Sequence, residues 1–210
     1  MSIRVLIVDD TEFVRDGMRM ALDAAPGIEV VGEAADGAAA VAAAERLRPD
    51  VVLMDVRMPV LDGIEATRAI VALDGPPVRV LMLTTFDLDE YLSEALAAGV
   101  SGFTLKDTPP DDLIAGIVAV ARDDALVEPG TTVRLIARGA RGRPASRPPP
   151  DLTPPERELF ELIAAGRSNA EIGVSGDDVA ALLGRLGVRD RIHAVVAAHA
   201  AHIPPRQERG

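Results

Sequence analysis

A strict alternation of short apolar runs with longer amphipathic segments, continuing up to Arg122, most constrains the fold of this chain. We predict strands at residues 3–8, 28–33, 51–54, 79–83 and 101–105, and helices at residues 11–25, 37–47, 62–73, 87–98 and 109–122. Such an alternation is typical of a parallel sheet with helices on both faces. Gly27, Gly37, Gly75 and Gly99 are expected at helix ends, where a left-handed residue is commonly needed.

Acidic residues stand at the ends of two of the predicted strands. One buried run ends in Asp55, and the first strand runs into Asp9 and Asp10. Ligands collect at the carboxyl ends of strands in an open α/β sheet, and carboxylates gathered there would repel one another unless a cation such as Mg2+ lay between them. Two further strands end in Thr84 and Lys106. Alone, Asp55 would be interpreted as a turn or N-cap residue. Together, the acids, the hydroxyl and the ammonium group at the strand ends indicate phosphoryl transfer to a carboxylate.

The order of these residues resembles a known family. The sequences around Asp9-Asp10 (LIVDD), Asp55 (MDVRMP) and Lys106 (SGFTLKD), with Thr84 between the last two, resemble the receiver domain of bacterial two-component response regulators over about residues 3–122. The resemblance implies a flavodoxin-like fold of five parallel strands in the order 2-1-3-4-5, with the site beside strands 1 and 3. It also implies phosphorylation by a sensor histidine kinase and formation of a homodimer after phosphorylation.

The same resemblance implies which residues accept the phosphoryl group and hold the metal. Asp55 would be the phosphoacceptor. Mg2+ would be the cofactor, bound by Asp10, Asp55 and the backbone carbonyl of Arg57, with Asp9 acting through a water molecule.

Three further residues are implied to respond to phosphorylation. Thr84 would bond the arriving phosphoryl group and Lys106 would pair with it. Phe103 matches the aromatic switch position, which moves inward when Thr84 is drawn to the phosphate. Asp107 follows Lys106 where this family often has proline, a variation common in its transcription-factor branch.

A second pattern, of short capped helices, begins near Leu152. Thr153 and Glu156 have the spacing of a capping box, and Ser168 begins another capped segment. The sequences LTPPERE and LGVRDR resemble the LuxR-type helix-turn-helix domain of NarL/FixJ response regulators. The expected boundaries are 1–124 for the receiver, 125–150 for a linker with a short helix at 126–136 and an Arg/Pro-rich remainder, and 151–205 for an all-α helix-turn-helix domain.

The segment that should read DNA departs from the family pattern. After Ile172 the chain is about eight residues shorter than the usual domain, and about three helical turns remain for the recognition helix. Ser175 fits an N-cap. Asp177 and Asp178 follow it, where the family generally offers Thr, Lys and His, and the first base is Arg185, the candidate DNA contact. Because DNA affinity rests on neutralising phosphates, these acids oppose binding.

Two functions therefore stay open for the C-terminal domain. The leading interpretation is transcription control through DNA binding. The alternative is a degenerate helix-turn-helix that does not bind DNA, in a regulator that acts through phosphorylation-dependent protein–protein interaction. A third class, an Asp-nucleophile phosphohydrolase, needs a second acid two residues after Asp55; Arg57 stands there, so no enzyme is expected.

Composition restricts the remaining possibilities. The chain has no cysteine, which excludes disulfides and thiolate metal sites. His193, His199 and His202 lack a convincing metal-binding spacing. The net charge of −11 opposes extensive coating of nucleic acid. The sequence has neither a signal-peptide pattern nor an apolar run of about 18 residues, so a cytoplasmic location without membrane contact is expected.

Overall fold

A computed structural model describes residues 2–84, 88–123 and 151–201 of the chain. The chain divides into two compact units, residues 1–121 and 122–210. The possible helix at 126–136, the Arg/Pro-rich segment and His202 lie outside the described residues. Within those described ranges, no helix is both long enough and apolar enough to cross a membrane.

The first unit is an alternating α/β structure around one parallel sheet. The strand order is β2-β1-β3-β4-β5, which confirms the predicted order and fold class. Its elements are β1 Ile3–Val8, α1 Glu12–Asp23, β2 Ile28–Ala34, α2 Gly37–Leu47, β3 Val51–Asp55, α3 Gly63–Val71, β4 Arg79–Thr84, α4 Leu88–Ala98, β5 Gly102–Leu105 and α5 Pro110–Arg122.

Burial of the central strands follows from their sequence. Every residue of β3 is buried, and so are the last five residues of β4, because flanking helices cover the sheet. Asp36 and Asp62 precede α2 and α3, and their carboxylates accept hydrogen bonds from backbone N–H groups of the first helical turns. These caps begin the two helices at defined residues and so fix the loops that precede them.

Backbone conformation confirms three of the four predicted left-handed glycines and contradicts one. Gly27, Gly75 and Gly99 have positive φ. Gly37 does not; it is the first residue of α2, and a Cβ there would lie 2.3 Å from the carbonyl oxygen of Leu61. The prediction for Gly37 was wrong because close packing, rather than a left-handed turn, requires glycine at this position.

The described part of the second unit is helical. Its helices are α6 Pro154–Ala164, α7 Asn169–Ile172, α8 Gly176–Leu186 and α9 Arg191–Ala200. α9 packs against α6 and α8, and the core is formed by apolar side chains such as Phe160, Ile163, Leu182 and Val195. Each helix buries its apolar side in this small core, and the stability of the unit depends on that packing.

Val60, in the loop after β3, provides a test of backbone strain. It has φ of 70° and its side chain is 84% exposed. The left-handed conformation costs a non-glycine residue roughly 1–2 kcal/mol, and an exposed side chain has little packing to lose. Val60→Gly should therefore raise the free energy of unfolding by about 0.5–1 kcal/mol after the entropic cost of glycine is subtracted. Urea unfolding followed by circular dichroism measures this change.

The control for this substitution is Ala72→Gly. Ala72 is also exposed, but it has φ of −83°, which alanine adopts without strain. Ala72→Gly should lower stability, by up to about 1 kcal/mol, since glycine gains only unfolded-state freedom there. Equal losses in the two variants would contradict the assignment of strain to Val60.

Candidate functional site

The ends of β1 and β3 bring three carboxylates together. Val8 pairs with Met54 in the parallel ladder, so the residues that follow each strand face the same edge of the sheet. One carboxylate oxygen from each of Asp9, Asp10 and Asp55 lies within 4.8 Å of the others. Asp9 is fully buried, Asp55 is 4% exposed and Asp10 is exposed. Oxygen donors gathered in this way suit a hard divalent cation.

Lys106, which follows β5, partly neutralises this cluster. Its Nζ donates to Oδ2 of Asp9 at 2.8 Å and lies 2.9 Å from Oδ2 of Asp55. Its backbone N–H donates to the carbonyl of Thr84 at 2.9 Å, which fixes the end of β5 beside β4. One ammonium group against three carboxylates leaves the cluster negatively charged, so the site favours a further cation.

Burial and charge shift the titration of the two central groups. Burial raises the pKa of Asp55, and the hydrogen bond and charge of Lys106 oppose this effect without cancelling it. Burial alone would lower the pKa of Lys106, but hydrogen bonds to Asp9 and Asp55 outweigh it and raise the pKa. Lys106 is therefore a permanent cation at neutral pH, positioned to meet negative charge on Asp55.

A cavity of about 180 Å³ opens onto Asp55. Thr84 and Lys106 line it, together with Arg57 and Tyr91. Arg57 Nη2 donates to the Tyr91 hydroxyl at 2.6 Å, and the guanidinium carbon lies 5.1 Å from the centre of the ring. This pair was not expected from the sequence. Its only signal was Tyr91 itself, the single tyrosine of the chain.

Thr84 and Phe103, the predicted switch residues, are both buried. Thr84 is 6% exposed at the end of β4, and Phe103 is 5% exposed on β5, where it pairs in register with Met82. Thr84 and Asp55 line the same cavity, whereas Phe103 is not among the residues that line it. This arrangement agrees with the positions that the resemblance implied; the switching roles themselves stay predictions.

Close packing behind Asp55 leaves no room for a side chain at Gly63. A Cβ on Gly63 would lie 1.9 Å from the backbone oxygen of Asp55, and Gly63 N–H donates to the carbonyl of Val56 at 2.9 Å. The start of α3 therefore holds the end of β3 in place through backbone contact.

The second unit contains the expected capped helix starts. The carboxylate of Glu156 accepts from N–H and Oγ1 of Thr153 at 2.8 and 2.6 Å. Ser168 and Glu171 form a second capping box, before α7. α7 is four residues long, about one helical turn, and α8 has eleven residues, roughly three turns. The shortening relative to the family stays a prediction.

The start of α8 carries an acid with a structural role. Ser175 is the N-cap, and its hydroxyl and N–H donate to Oδ2 of Asp178 at 2.6 and 3.0 Å. These bonds, the hydroxyl first, lower the pKa of Asp178, so its negative charge persists at neutral pH. Asp177 is exposed beside it. Both acids therefore lie at the N-terminus of α8, and Asp178 takes part in its cap. Their effect on DNA binding stays a prediction.

Arg185, the candidate DNA contact, is engaged within its own unit. Its Nη1 lies 2.9 Å from Oε1 of Glu156, and its Nη2 donates to the carbonyl of Asp151 at 2.9 Å. Nearly half of the side chain is nevertheless exposed. A phosphate would have to compete with these partners for the guanidinium group.

The raised pKa of Asp55 gives a test by pH. A folded-state pKa above the ordinary value of 3.8 means that the folded protein holds this proton more firmly than the unfolded chain. The stabilisation is therefore present below the unfolded pKa and is lost as the pH rises through the folded pKa. Asp55→Asn should exceed the wild type in unfolding free energy at pH 7, and this gain should shrink as the pH falls towards about pH 3.

Urea unfolding in the presence of a chelator, at both pH values, measures this difference. Asp16→Asn is the matched control because Asp16 is an exposed carboxylate on α1; its substitution should change stability little at either pH. A gain in Asp55→Asn that is the same at both pH values would contradict the assignment to ionisation of Asp55.

Comparison with known proteins agrees with this geometry. Residues 5–118 match the family model of the response regulator receiver domain. The response regulator protein VraR of Staphylococcus aureus is 39% identical over 206 residues, which cover 94% of this chain and 97% of VraR.

Two solved structures extend the comparison. The signal receiver domain of the putative response regulator NarL from Mycobacterium tuberculosis is 36% identical, with a TM-score of 0.55, over 58% of this chain and 97% of that domain. A DNA-binding response regulator of the LuxR family from Staphylococcus aureus is 25% identical, with a TM-score of 0.52, over 57% of this chain and 98% of that one.

These matches confirm the resemblance that the sequence motifs indicated. The receiver match spans more than half of the chain, and the VraR match spans nearly all of it, including the short C-terminal helices. The chain therefore belongs to the response regulators of two-component systems, within the LuxR family of transcription regulators.

Proposed function

We propose that a sensor histidine kinase phosphorylates this regulator on Asp55 and that the phosphorylated form controls transcription through the C-terminal helix-turn-helix. The observation that carries the proposal is the position of Lys106, whose ammonium group bridges Asp9 and Asp55 beside the third carboxylate, Asp10. In the transfer, an Asp55 oxygen forms a bond to phosphorus as the bond from phosphorus to the kinase histidine breaks. The released imidazole keeps the electron pair of the broken bond.

Two residues around Asp55 would bind different oxygens of the phosphoryl group. Lys106 already contacts Oδ2 of Asp55 and would pair with an oxygen of the phosphoryl group. Thr84 lines the same cavity, and its hydroxyl would donate to another oxygen. Movement of Thr84 would let Phe103 take a new position, which would carry the change to the surface formed by β4 and β5.

The acidic cluster fits a divalent cation. Receiver domains bind Mg2+ at such a pocket; here Asp10, Asp55 and the backbone carbonyl of Arg57 would be the ligands, with Asp9 acting through water. When bound, Mg2+ would neutralise negative charge on the phosphoryl oxygens. The three carboxylates meet the requirement of a hard cation for oxygen donors, and the negative charge left after Lys106 favours its binding.

The C-terminal unit supports two outputs. Membership of the LuxR family favours DNA binding, and α8 is a capped helix that ends at Gly187. The one-turn α7, the acids at the start of α8 and the engagement of Arg185 by Glu156 favour the second candidate, a regulator that acts on a protein partner after phosphorylation. The first domain has the same role in both.

Selection of genomic DNA distinguishes the two outputs. Full-length protein with Mg2+ and beryllofluoride, a mimic of the phosphoryl group, is mixed with sheared DNA, and Asp55→Ala serves as the control. Discrete fragments recovered only with the mimic and only by the wild type would support phosphorylation-gated DNA binding. A protein that binds the mimic but recovers no fragments would support the protein-partner function. Light scattering on the same samples tests the predicted homodimer.

The acids of α8 give a quantitative test. Asp177→Lys replaces a charge that repels phosphates with one that attracts them and leaves the Ser175–Asp178 cap intact. If α8 lies against DNA, affinity should rise by about tenfold or more at low salt, and the salt dependence should steepen. Fluorescence anisotropy with a selected fragment measures both quantities.

Glu158→Lys on α6 is the control, with the same change of net charge at another exposed position of this unit. A gain equal to that of Asp177→Lys would indicate a general charge effect and would contradict contact through α8.

A further inference from the structure

Asp9 is held at every one of its polar atoms. Its N–H donates to the carbonyl of Ala34 at 3.2 Å, and its Oδ1 accepts from Thr11 N–H at 2.9 Å. Its Oδ2 accepts from Lys106 at 2.8 Å. Its backbone carbonyl accepts from Nη1 of Arg15 at 2.8 Å. Two of these contacts come from basic side chains: Lys106 holds the carboxylate, and Arg15 holds the backbone carbonyl.

Arg15 is itself fixed by the adjacent strand. It lies on α1 with its side chain 14% exposed, and its Nε is 3.4 Å from Oε2 of Glu33 on β2. Glu33 precedes Ala34, the residue that accepts the N–H of Asp9. The end of β2 therefore holds the backbone of Asp9 twice, directly through Ala34 and indirectly through the Glu33–Arg15 pair.

The carbonyl of Asp9 belongs to the same peptide group as the nitrogen of Asp10. A donor on that carbonyl fixes the rotation of the peptide plane and thereby the direction in which Asp10 leaves the backbone. This matters because Asp10 is the exposed member of the acidic cluster, with less packing around it than Asp9 or Asp55.

We propose that Arg15 is a positioning residue for the metal site, which sets the direction of the Asp10 carboxylate through the Asp9 carbonyl. The inference rests on the proposed function, since it assumes that Asp10 is a ligand of Mg2+. Arginine suits the role because its planar guanidinium group can bind Glu33 through one nitrogen and the Asp9 carbonyl through another. Residues that orient metal ligands typically change metal affinity by about 10–100-fold when removed.

The variant Arg15→Met tests this role in the full-length protein, because methionine keeps the apolar stem and removes both polar contacts. Titration with Mg2+ alone, followed by calorimetry, should give a Kd about tenfold higher than that of the wild type. Phosphorylation by a small donor such as acetyl phosphate should slow at limiting Mg2+ and return to the wild-type rate at saturating Mg2+. Circular dichroism at limiting Mg2+ must show the variant folded, because Mg2+ bound to the folded state would also rescue an unfolded fraction.

Arg19→Met is the matched control. Arg19 lies one turn further along α1 and also pairs with Glu33, whereas the bond to the Asp9 carbonyl comes from Arg15. Its substitution should leave the Kd for Mg2+ within about twofold of the wild type, a change of roughly 0.4 kcal/mol. If circular dichroism shows that Arg15→Met does not fold, Glu33→Gln replaces it; this variant loosens Arg15 and should also weaken Mg2+ binding.

The outcomes separate this inference from the function on which it rests. No Mg2+ binding by the wild type would overturn the metal site itself. Binding by the wild type that is lost in Asp10→Asn supports the site, and an unchanged Kd in folded Arg15→Met, or in Glu33→Gln as its substitute, would then overturn the positioning role alone. Equal weakening in Arg15→Met and Arg19→Met would also overturn it, since the effect would follow from the charge near Glu33.

Discussion

Carboxylates gathered at one end of the parallel sheet repel one another, and the fold of the first unit must hold them together. Asp9 and Asp55 are buried side by side with one lysine ammonium between them, and Asp10 lies within reach of both. Buried charges persist only when they are paired and hydrogen-bonded, so the surrounding strands must hold every partner in place. The fully buried β3, the contact of Gly63 with the Asp55 backbone and the ladder from β1 to β5 provide that rigidity.

In the second unit, one acid at the start of α8 stabilises the helix and also carries a charge that bears on the proposed contact with DNA. Asp178 completes the capping box of α8, which a helix of three turns with a small core needs. The same carboxylate, with Asp177, gives negative charge to the end of the helix where family members generally offer residues that approach DNA. Arg185 forms an ion pair with Glu156 in the first turn of α6. The capping role of Asp178 explains its place in the fold whether or not α8 contacts DNA.

Much of the fold could be predicted because local sequence patterns carry it. Each predicted strand and helix of the first unit differs from the observed element by no more than two residues at either end, and the strand order agrees with the resemblance. The backbone conformation of Gly37 was predicted wrongly because glycine is needed there for close packing against Leu61, which lies far along the chain. The Arg57–Tyr91 pair and the Arg15–Asp9 bond were not foreseen for the same cause: each joins side chains or backbone groups from different elements.

Local sequence patterns were sufficient to predict the alternating α/β fold, the residues at the strand ends and the capped helices of the second unit, because hydrophobic period and capping chemistry act over a few neighbouring residues. The partners of these residues, in contrast, depend on how the elements pack together. Lys106 bridges Asp9 and Asp55 across 97 and 51 positions of chain, and Arg15 reaches the Asp9 carbonyl while Glu33 holds it. Such contacts depend on the distance and direction between packed elements, which no local pattern specifies.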